Sequence, residues 1–262
     1  MNQDLFNEIS KSICIINKKN KDTGTGFFLR AKFIEQDIFL LITARHFIPF
    51  ELVEIRAKIE IITDNGNMKQ EIILNNNERK ILCFLDKDIT AIEIIEKDII
   101  KDKVKFLRHK KKSVNYLDIE AFIFHHPNGE KLQCNNGKIL SVNTPKEYEF
   151  EHNLYTQKGS SGSPIIIFKK SKKRPYPKPR VIGVHTSCDP KTKKNIGTFI
   201  NVLVRVLKSG IDNLYYQKSL TIPKNGELHS PSGTELIVQH LTVKEEATFK
   251  LSGHLIIGQK FS

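Results

Sequence analysis

The sequence predicts an all-β protein, a barrel or sandwich closed by one late helix, and three observations carry that prediction. Brief apolar runs with polar borders recur through the first 200 residues, among them Ile13-Cys14-Ile15-Ile16, Gly26-Phe27-Phe28-Leu29 and Ile38-Phe39-Leu40-Leu41-Ile42. Apolar residues at Val53, Ile55, Ala57, Ile59 and Ile61 fall on alternate positions, as one face of a half-buried strand requires. From Phe199 to Gly210, by contrast, Phe199, Leu203, Val206 and Leu207 share a helical face and the run ends on a glycine, so a helix follows the strands. Further strands are expected at 71–74, 81–85, 89–95, 119–124, 138–142, 164–168 and 180–185. Beyond about Leu214, apolar segments at 236–243 and 247–257 read as a hairpin or a tail, and no internal repeat is evident.

A chain of 262 residues, 39% hydrophobic, is long enough for one two-lobed domain and apolar enough for a packed core. No apolar run approaches the roughly 18 residues that would span a bilayer, so a membrane partner is not expected. The first residues, Met1 to Glu8, show no basic region followed by an apolar core, which makes cytoplasmic or nuclear residence the expectation. Cys14, Cys83, Cys134 and Cys188 lie far apart with no C-x-x-C pair, arguing for buried free thiols over a disulfide framework or a zinc ribbon. The formal charge of +13 is local. Residues 101–113 carry a net +6 and residues 169–180 a net +7, the whole excess. Both stretches read as exposed connections and as candidate contacts for a polyanion or nucleic acid.

The chemistry concentrates at Lys158-Gly159-Ser160-Ser161-Gly162-Ser163-Pro164, directly before an apolar strand. A serine between glycines in a tight turn can expose its hydroxyl, and the same turn can aim backbone N–H groups at one point, as an oxyanion needs. Taken alone the stretch is also compatible with an ordinary Gly/Ser turn. Two other segments supply what a serine nucleophile lacks. Thr43-Ala44-Arg45-His46 puts an imidazole at a strand end, and Asp88-Ile89-Thr90-Ala91-Ile92 puts a carboxylate at a strand start. Asp86 is a rival carboxylate, but only Asp88 is followed by the apolar Ile89, Ala91 and Ile92.

With these segments in order, the sequence resembles the trypsin-like (chymotrypsin-fold) serine proteases of the intracellular and bacterial type. The resemblance spans residues 10–210 through Gly24-Thr25-Gly26-Phe27-Phe28, the T-A-x-H segment ending in His46, the segment from Asp88, the block holding Ser161, and Val181-Ile182-Gly183-Val184-His185. His126-Pro127-Asn128-Gly129 and Gly137-Lys138-Ile139 also resemble the family's loop and returning strand before the nucleophile. The fold it implies is two antiparallel six-stranded β-barrels of the chymotrypsin type with a late α-helix. The barrels would occupy 10–110 and 114–197 and the helix 198–210, within a protease domain of 1–212 followed by an extension of 213–262. The site it implies is a catalytic triad of His46, Asp88 and Ser161, an oxyanion hole from the N–H groups of Gly159 and Ser161, a protein or peptide substrate, and no cofactor.

Phe47 stands where secreted members have a cysteine, and Ser160 where they have an aspartate that pairs with a freshly cut N-terminus. Activation by that route is therefore not expected. The resemblance places Tyr155, Thr156, His185, Thr186 and Ser187 around the substrate pocket, and the pairing of Thr156 with His185 is similar to that of glutamyl endopeptidases, so cleavage after Glu or Gln is expected. His125 and His126 are adjacent, would face opposite sides of a strand, and have no companion ligands, so no metal is assigned. A catalytically silent module that binds an acidic partner through the basic loops is the alternative.

Overall fold

A computed structural model describes residues 3–19, 22–63, 68–84, 86–110, 115–144, 146–169, 177–189, 192 and 194–209, and the backbone of strands within 213–257. The order is α1 (Gln3–Ser10), β1 (Ile13–Asn17), β2 (Thr23–Phe33), β3 (Gln36–Ala44), α2 (Phe50–Glu54), β4 (Lys58–Thr63), β5 (Met68–Ile73), β6 (Ile81–Phe84), β7 (Ile89–Glu93) and β8 (Leu107–Arg108). Then come β9 (Glu120–His125), β10 (Gln133–Val142), β11 (Glu149–His152), β12 (Pro164–Lys169), β13 (Lys178–Cys188), β14 (Asn195–Phe199) and α3 (Asn201–Ser209). The last strands are β15 (Asn213–Ile222), β16 (Glu227–Ser230), β17 (Thr234–Val243), β18 (Thr248–Leu251) and β19 (His254–Ile257).

The fold is chymotrypsin-like. Strands β9 to β14 close a barrel in the order β10-β11-β14-β13-β12-β9. The first lobe is a curled antiparallel sheet, β5-β4-β1-β2-β3-β7-β6, and differs from the expected six-stranded barrel in remaining open. Its β6 edge takes β15 in parallel (Leu214 opposite Leu82), so the sheet is extended at that end where a barrel would close on itself. Three apolar clusters result. One fills the first lobe and one the barrel, while the largest spans both lobes, joining Phe27, Ile42 and Ile89 to Phe124, Ile166 and Val184, with Leu203 and Leu207 of α3 and Ile9 of α1 packed on it. The shared cluster fixes one lobe against the other, as two separately filled cores would not.

Two local expectations change. The alternation from Val53 to Ile61 is not one strand. Pro49 opens the short helix α2, which buries Val53 and leaves Ile55 exposed, and β4 begins only at Lys58 with Ile59 and Ile61 inward. Phe199 ends β14 and does not belong to the helix, and α3 buries Leu203, Val204 and Leu207. The amide of Ile34 in the β2–β3 turn donates to the carbonyl of Leu207 (3.1 Å), tying the end of α3 to the first lobe.

The segments after Leu214 pair in parallel, β15 with β17 (Asn213 opposite Thr234) and β17 with β19 (Glu235 opposite His254), while β16 pairs with β18. Neighbouring strands of a hairpin would be antiparallel. These strands pair instead in parallel at a regular offset of about 20 residues, a spacing the sequence pattern does not reveal. Leu203→Ala, at a fully buried position between the lobes, is expected to lower unfolding free energy by about 2–5 kcal/mol, measurable in urea unfolding curves.

Candidate active site

The corner that holds His46 and Asp88 follows from strand register. Strands β3 and β7 pair antiparallel with Ala44 opposite Ile89, so the residues just beyond Ala44 and just before Ile89 share one end of the ladder. Three contacts close that corner. The Arg45 amide donates to the Asp88 carbonyl (3.0 Å), the His46 amide donates to Asp88 Oδ1 (2.7 Å), and His46 Nδ1 lies 2.7 Å from Asp88 Oδ2. Asp88 adopts a left-handed backbone (φ 51°), a conformation aspartate tolerates better than most residues, and this turns both carboxylate oxygens toward His46. A carboxylate beside Nδ1 selects the tautomer that carries its proton there and leaves the Nε2 lone pair available. Asp86 is placed elsewhere: its carboxylate pairs with Lys87, and its carbonyl accepts from the Tyr148 hydroxyl.

Ser161 lies on the turn before β12, half-buried and held against the first lobe, its carbonyl accepting from the Thr25 amide (3.2 Å). Gly162 explains the approach. A Cβ there would sit 2.2 Å from the Thr25 carbonyl and 2.3 Å from Thr43 Oγ1, and its φ of +89° is one that L side chains rarely adopt. The turn's amides alternate in use. Ser160 N–H donates to the Gln157 carbonyl and Gly162 N–H to the His185 carbonyl, while among the described residues no acceptor takes the N–H of Gly159 or Ser161. Gly159 also needs its left-handed backbone (φ +87°), and a Cβ there would meet the His126 carbonyl at 2.8 Å.

Buried histidines lie around this turn, and of these the sequence marks His185 as a pocket residue but gives no sign of the contacts of His125, His126 and His152. His125 Nδ1 lies 2.6 Å from Ser160 Oγ and its Nε2 2.8 Å from Asn135 Nδ2, while Ser160 Oγ also accepts from the Gln157 amide (2.9 Å). His126 Nδ1 lies 2.8 Å from the Glu130 carbonyl. Burial pushes the His125 imidazole down to about 4, with the neighbouring His126 adding to the effect. Burial likewise pushes His185 down to about 3, reinforced by the charges of His125 and His46 and opposed by the Ile196 carbonyl. His185 Nδ1 is 3.2 Å from His152 Nε2, and His152, fully buried, is also held far below the usual histidine range, first by burial and then by His185. Among the described residues no cluster of three or more histidine, cysteine or acidic side chains could hold a metal.

The remaining pocket candidates are spread unevenly. Thr156 Oγ1 donates to Asn195 Oδ1 (2.8 Å), and Thr186 Oγ1 donates to the Ile196 carbonyl (3.2 Å). Tyr155 and Ser187 are exposed, and the Tyr155 hydroxyl accepts from the Gln157 side chain. All four cysteines are free; Cys14 and Cys83 are buried, but Cys134 is half-buried and Cys188 exposed, against the expectation of burial throughout. Of the two basic stretches, residues 111–113 and 170–176 lie outside the described residues. Lys101, within the first, pairs with Glu96 and covers the Phe39 ring.

A chymotrypsin-like pair of lobes with an imidazole–carboxylate corner on one and a Gly-Ser turn on the other defines the class of trypsin-like peptidase domains. Residues 24–170 match the trypsin-like peptidase domain family, and the chain belongs to it. Among solved structures, a serine endoprotease from Yersinia pestis is similar at 11% identity and a TM-score of 0.54, over 78% of this chain and 64% of that one. The chain thus spans under two thirds of that protein's length. A Mycobacterium tuberculosis H37Rv protein, crystallised as a serine-to-alanine mutant in its inactive form, is similar at 11% identity and 0.50, covering 78% of this chain and 91% of that one. Deg5 is similar at 16% identity and 0.50, covering 77% and 90% respectively. No curated protein sequence matches the chain.

The buried neutral histidines set an acid limit. Their folded-state values, about 4 for His125 and about 3 for His185, lie below the ordinary 6.5, so the unfolded chain binds more protons in that interval. Stability is therefore expected to hold above about pH 6.5 and to fall as pH drops toward 4 and then 3. Urea midpoints measured at stepped pH check this, and His125→Gln should flatten the part of the slope above pH 4.

Proposed function

We propose that the chain is a serine endopeptidase that cleaves protein or peptide substrates through an acyl-enzyme on Ser161. His46 takes the Ser161 proton as Oγ attacks the scissile carbonyl, then returns it to the leaving amine. Asp88 holds the imidazole and stabilises its cation, and the N–H groups of Gly159 and Ser161 receive the oxyanion. Water then repeats the sequence to release the acyl group. The observation that carries this reading is the paired contact of Asp88 with both the ring and the amide of His46, 2.7 Å each, which fixes the orientation of that ring. The protease domain is proposed to extend over 1–212, with 213–262 as an appended extension. Four unpaired thiols support placement in a reducing compartment, cytoplasmic or nuclear.

For the residue before the cut, Glu or Gln is proposed, with Gln the better fit. His185 is kept neutral, so it offers no charge to a carboxylate, and the Thr156 hydroxyl already donates to Asn195 Oδ1 and presents lone pairs, which suit an amide NH₂. His185 also joins the Ser161 turn directly: its carbonyl accepts from Gly162 N–H and its amide donates to the Ser163 carbonyl, 2.9 Å each.

A fluorophosphonate probe is expected to label the wild type on Ser161 and to leave Ser161→Ala unlabelled. Labelling of Ser160 or Ser163 in peptide maps would show that another hydroxyl is the nucleophile. With peptides varied only before the cut, kcat/KM should be highest for Gln, then Glu. A strong preference for Lys or Arg would end the pocket assignment.

A further inference from the structure

We propose that Thr25 is a positioning residue that holds the Gly159–Ser161 turn in its oxyanion-binding form, so that competence is built into the chain without cleavage of an N-terminus. The proposal rests on the serine-peptidase reading of the same turn. In a trans peptide the N–H points opposite to the carbonyl of the preceding residue, so whatever grips that carbonyl also aims the N–H. The Lys158 carbonyl accepts from the Asn128 amide (2.7 Å), which turns Gly159 N–H the other way. The Ser160 carbonyl accepts from Ser163 N–H (3.1 Å), which does the same for Ser161 N–H. The peptide between them is gripped by a side chain: the Gly159 carbonyl accepts from Thr25 Oγ1 at 2.8 Å. With the middle peptide held, three successive carbonyls of the turn are each gripped, and the Thr25 hydroxyl is the side-chain donor among the three grips.

Thr25 is suited to the role by its position and by the completeness of its bonding. It is fully buried, on the long strand β2, and paired with Ile15 of β1. Its hydroxyl donates to Gly159 and accepts from the His126 amide (3.0 Å). Its own amide donates to the Ser161 carbonyl (3.2 Å), and its own carbonyl accepts from Thr43 Oγ1 (2.9 Å). One rigid residue of the first lobe therefore touches three residues of the second, two in the turn and one in the loop whose next but one residue, Asn128, grips Lys158. The Asn128 amide reaches that carbonyl from a left-handed backbone (φ 52°), which asparagine tolerates better than most residues, and Thr25 bonds the same loop through the His126 amide. Ser160, at the position where secreted relatives are expected to carry an aspartate, is occupied by His125 and the Gln157 amide, leaving no charge to be paired by a new N-terminus.

The test compares wild type, Thr25→Val and Thr25→Ser in peptide hydrolysis, with thermal unfolding and fluorophosphonate labelling of each. Valine keeps the shape and removes the hydroxyl, whereas serine keeps the hydroxyl. Thr25→Val is expected to lose about tenfold or more in kcat with KM changed by less than about threefold, since a misaimed donor acts on the transition state. Thr25→Ser is expected to stay within about threefold of wild type on both. A boronic-acid peptide, which forms a tetrahedral adduct, should bind Thr25→Val more weakly in proportion to the kcat loss, while the corresponding product peptide binds equally to both. Wild-type activity in Thr25→Val, or an equal loss in Thr25→Ser, overturns the proposal and leaves the peptidase reading standing. Should Thr25→Val not fold, Thr25→Ala carries the same comparison, and failure of both to fold assigns Thr25 a structural role and overturns the proposal. An unlabelled wild type removes the peptidase reading and this proposal with it.

Discussion

The ladder between β3 and β7 sets Ala44 opposite Ile89, and the rest of the candidate site depends on that register. A shift by one residue would move Ile42 and Ala91 from the apolar cluster shared by the lobes to the side that packs the first lobe's own cluster, and would also carry His46 away from Asp88. The apolar core and the polar corner are thus specified by the same pairing. Burial of Leu41, Ile42, Ala91 and Ile92 supplies the energy, and the His46–Asp88 contact sits at the end of the ladder at little additional entropic cost, because both backbones are already ordered.

The second lobe is brought to this corner by absence of side chains as much as by their presence. Gly162 lets the Ser161 turn lie against the Thr25 carbonyl and Thr43, and Gly159 lets it lie against the His126 loop, in both cases at separations no Cβ permits. Between those contacts Thr25 gives the turn its grip on the first lobe, and the large apolar cluster shared by the lobes keeps that grip from loosening. Burial has an electrostatic consequence in the same place. The histidines behind the turn, His125, His152 and His185, are held neutral by burial, whereas His46 is half-exposed and paired with the Asp88 carboxylate.

Legibility in the sequence tracked the range of the interaction. The strands around Phe27, Ile42, Ile92 and Ile165 were readable because apolar runs bordered by turn residues report local burial. Val53 to Ile61 was misread because α2 and the start of β4 happen to place Val53, Ile59 and Ile61 inward from two different geometries that share an alternating spacing. The parallel pairing after Asn213 is invisible in the sequence because strands about 20 residues apart are joined by backbone bonds, which polar and apolar side chains alike allow. Among site residues, His46 and Asp88 were recognisable from their strand contexts. Thr25 lies within the Gly24–Phe28 segment and His125 beside His126 without a local sign of their roles, because their partners, Gly159 and Ser160, lie 134 and 35 positions away.

By itself the sequence determined the all-β class, the short strands, the late helix, the Gly-Ser turn and the residue types from which an acyl-transfer site is built, since each follows from composition and spacing within a dozen or so positions. Tertiary structure alone decided that the first lobe stays open, that Asp88 meets His46 through both its carboxylate oxygens, and how the carbonyls of the Gly-Ser turn are gripped. Those outcomes turn on strand register and on backbone groups gripped from the other lobe, and a hydrogen bond to a distant carbonyl leaves no trace in the order of side chains along the chain.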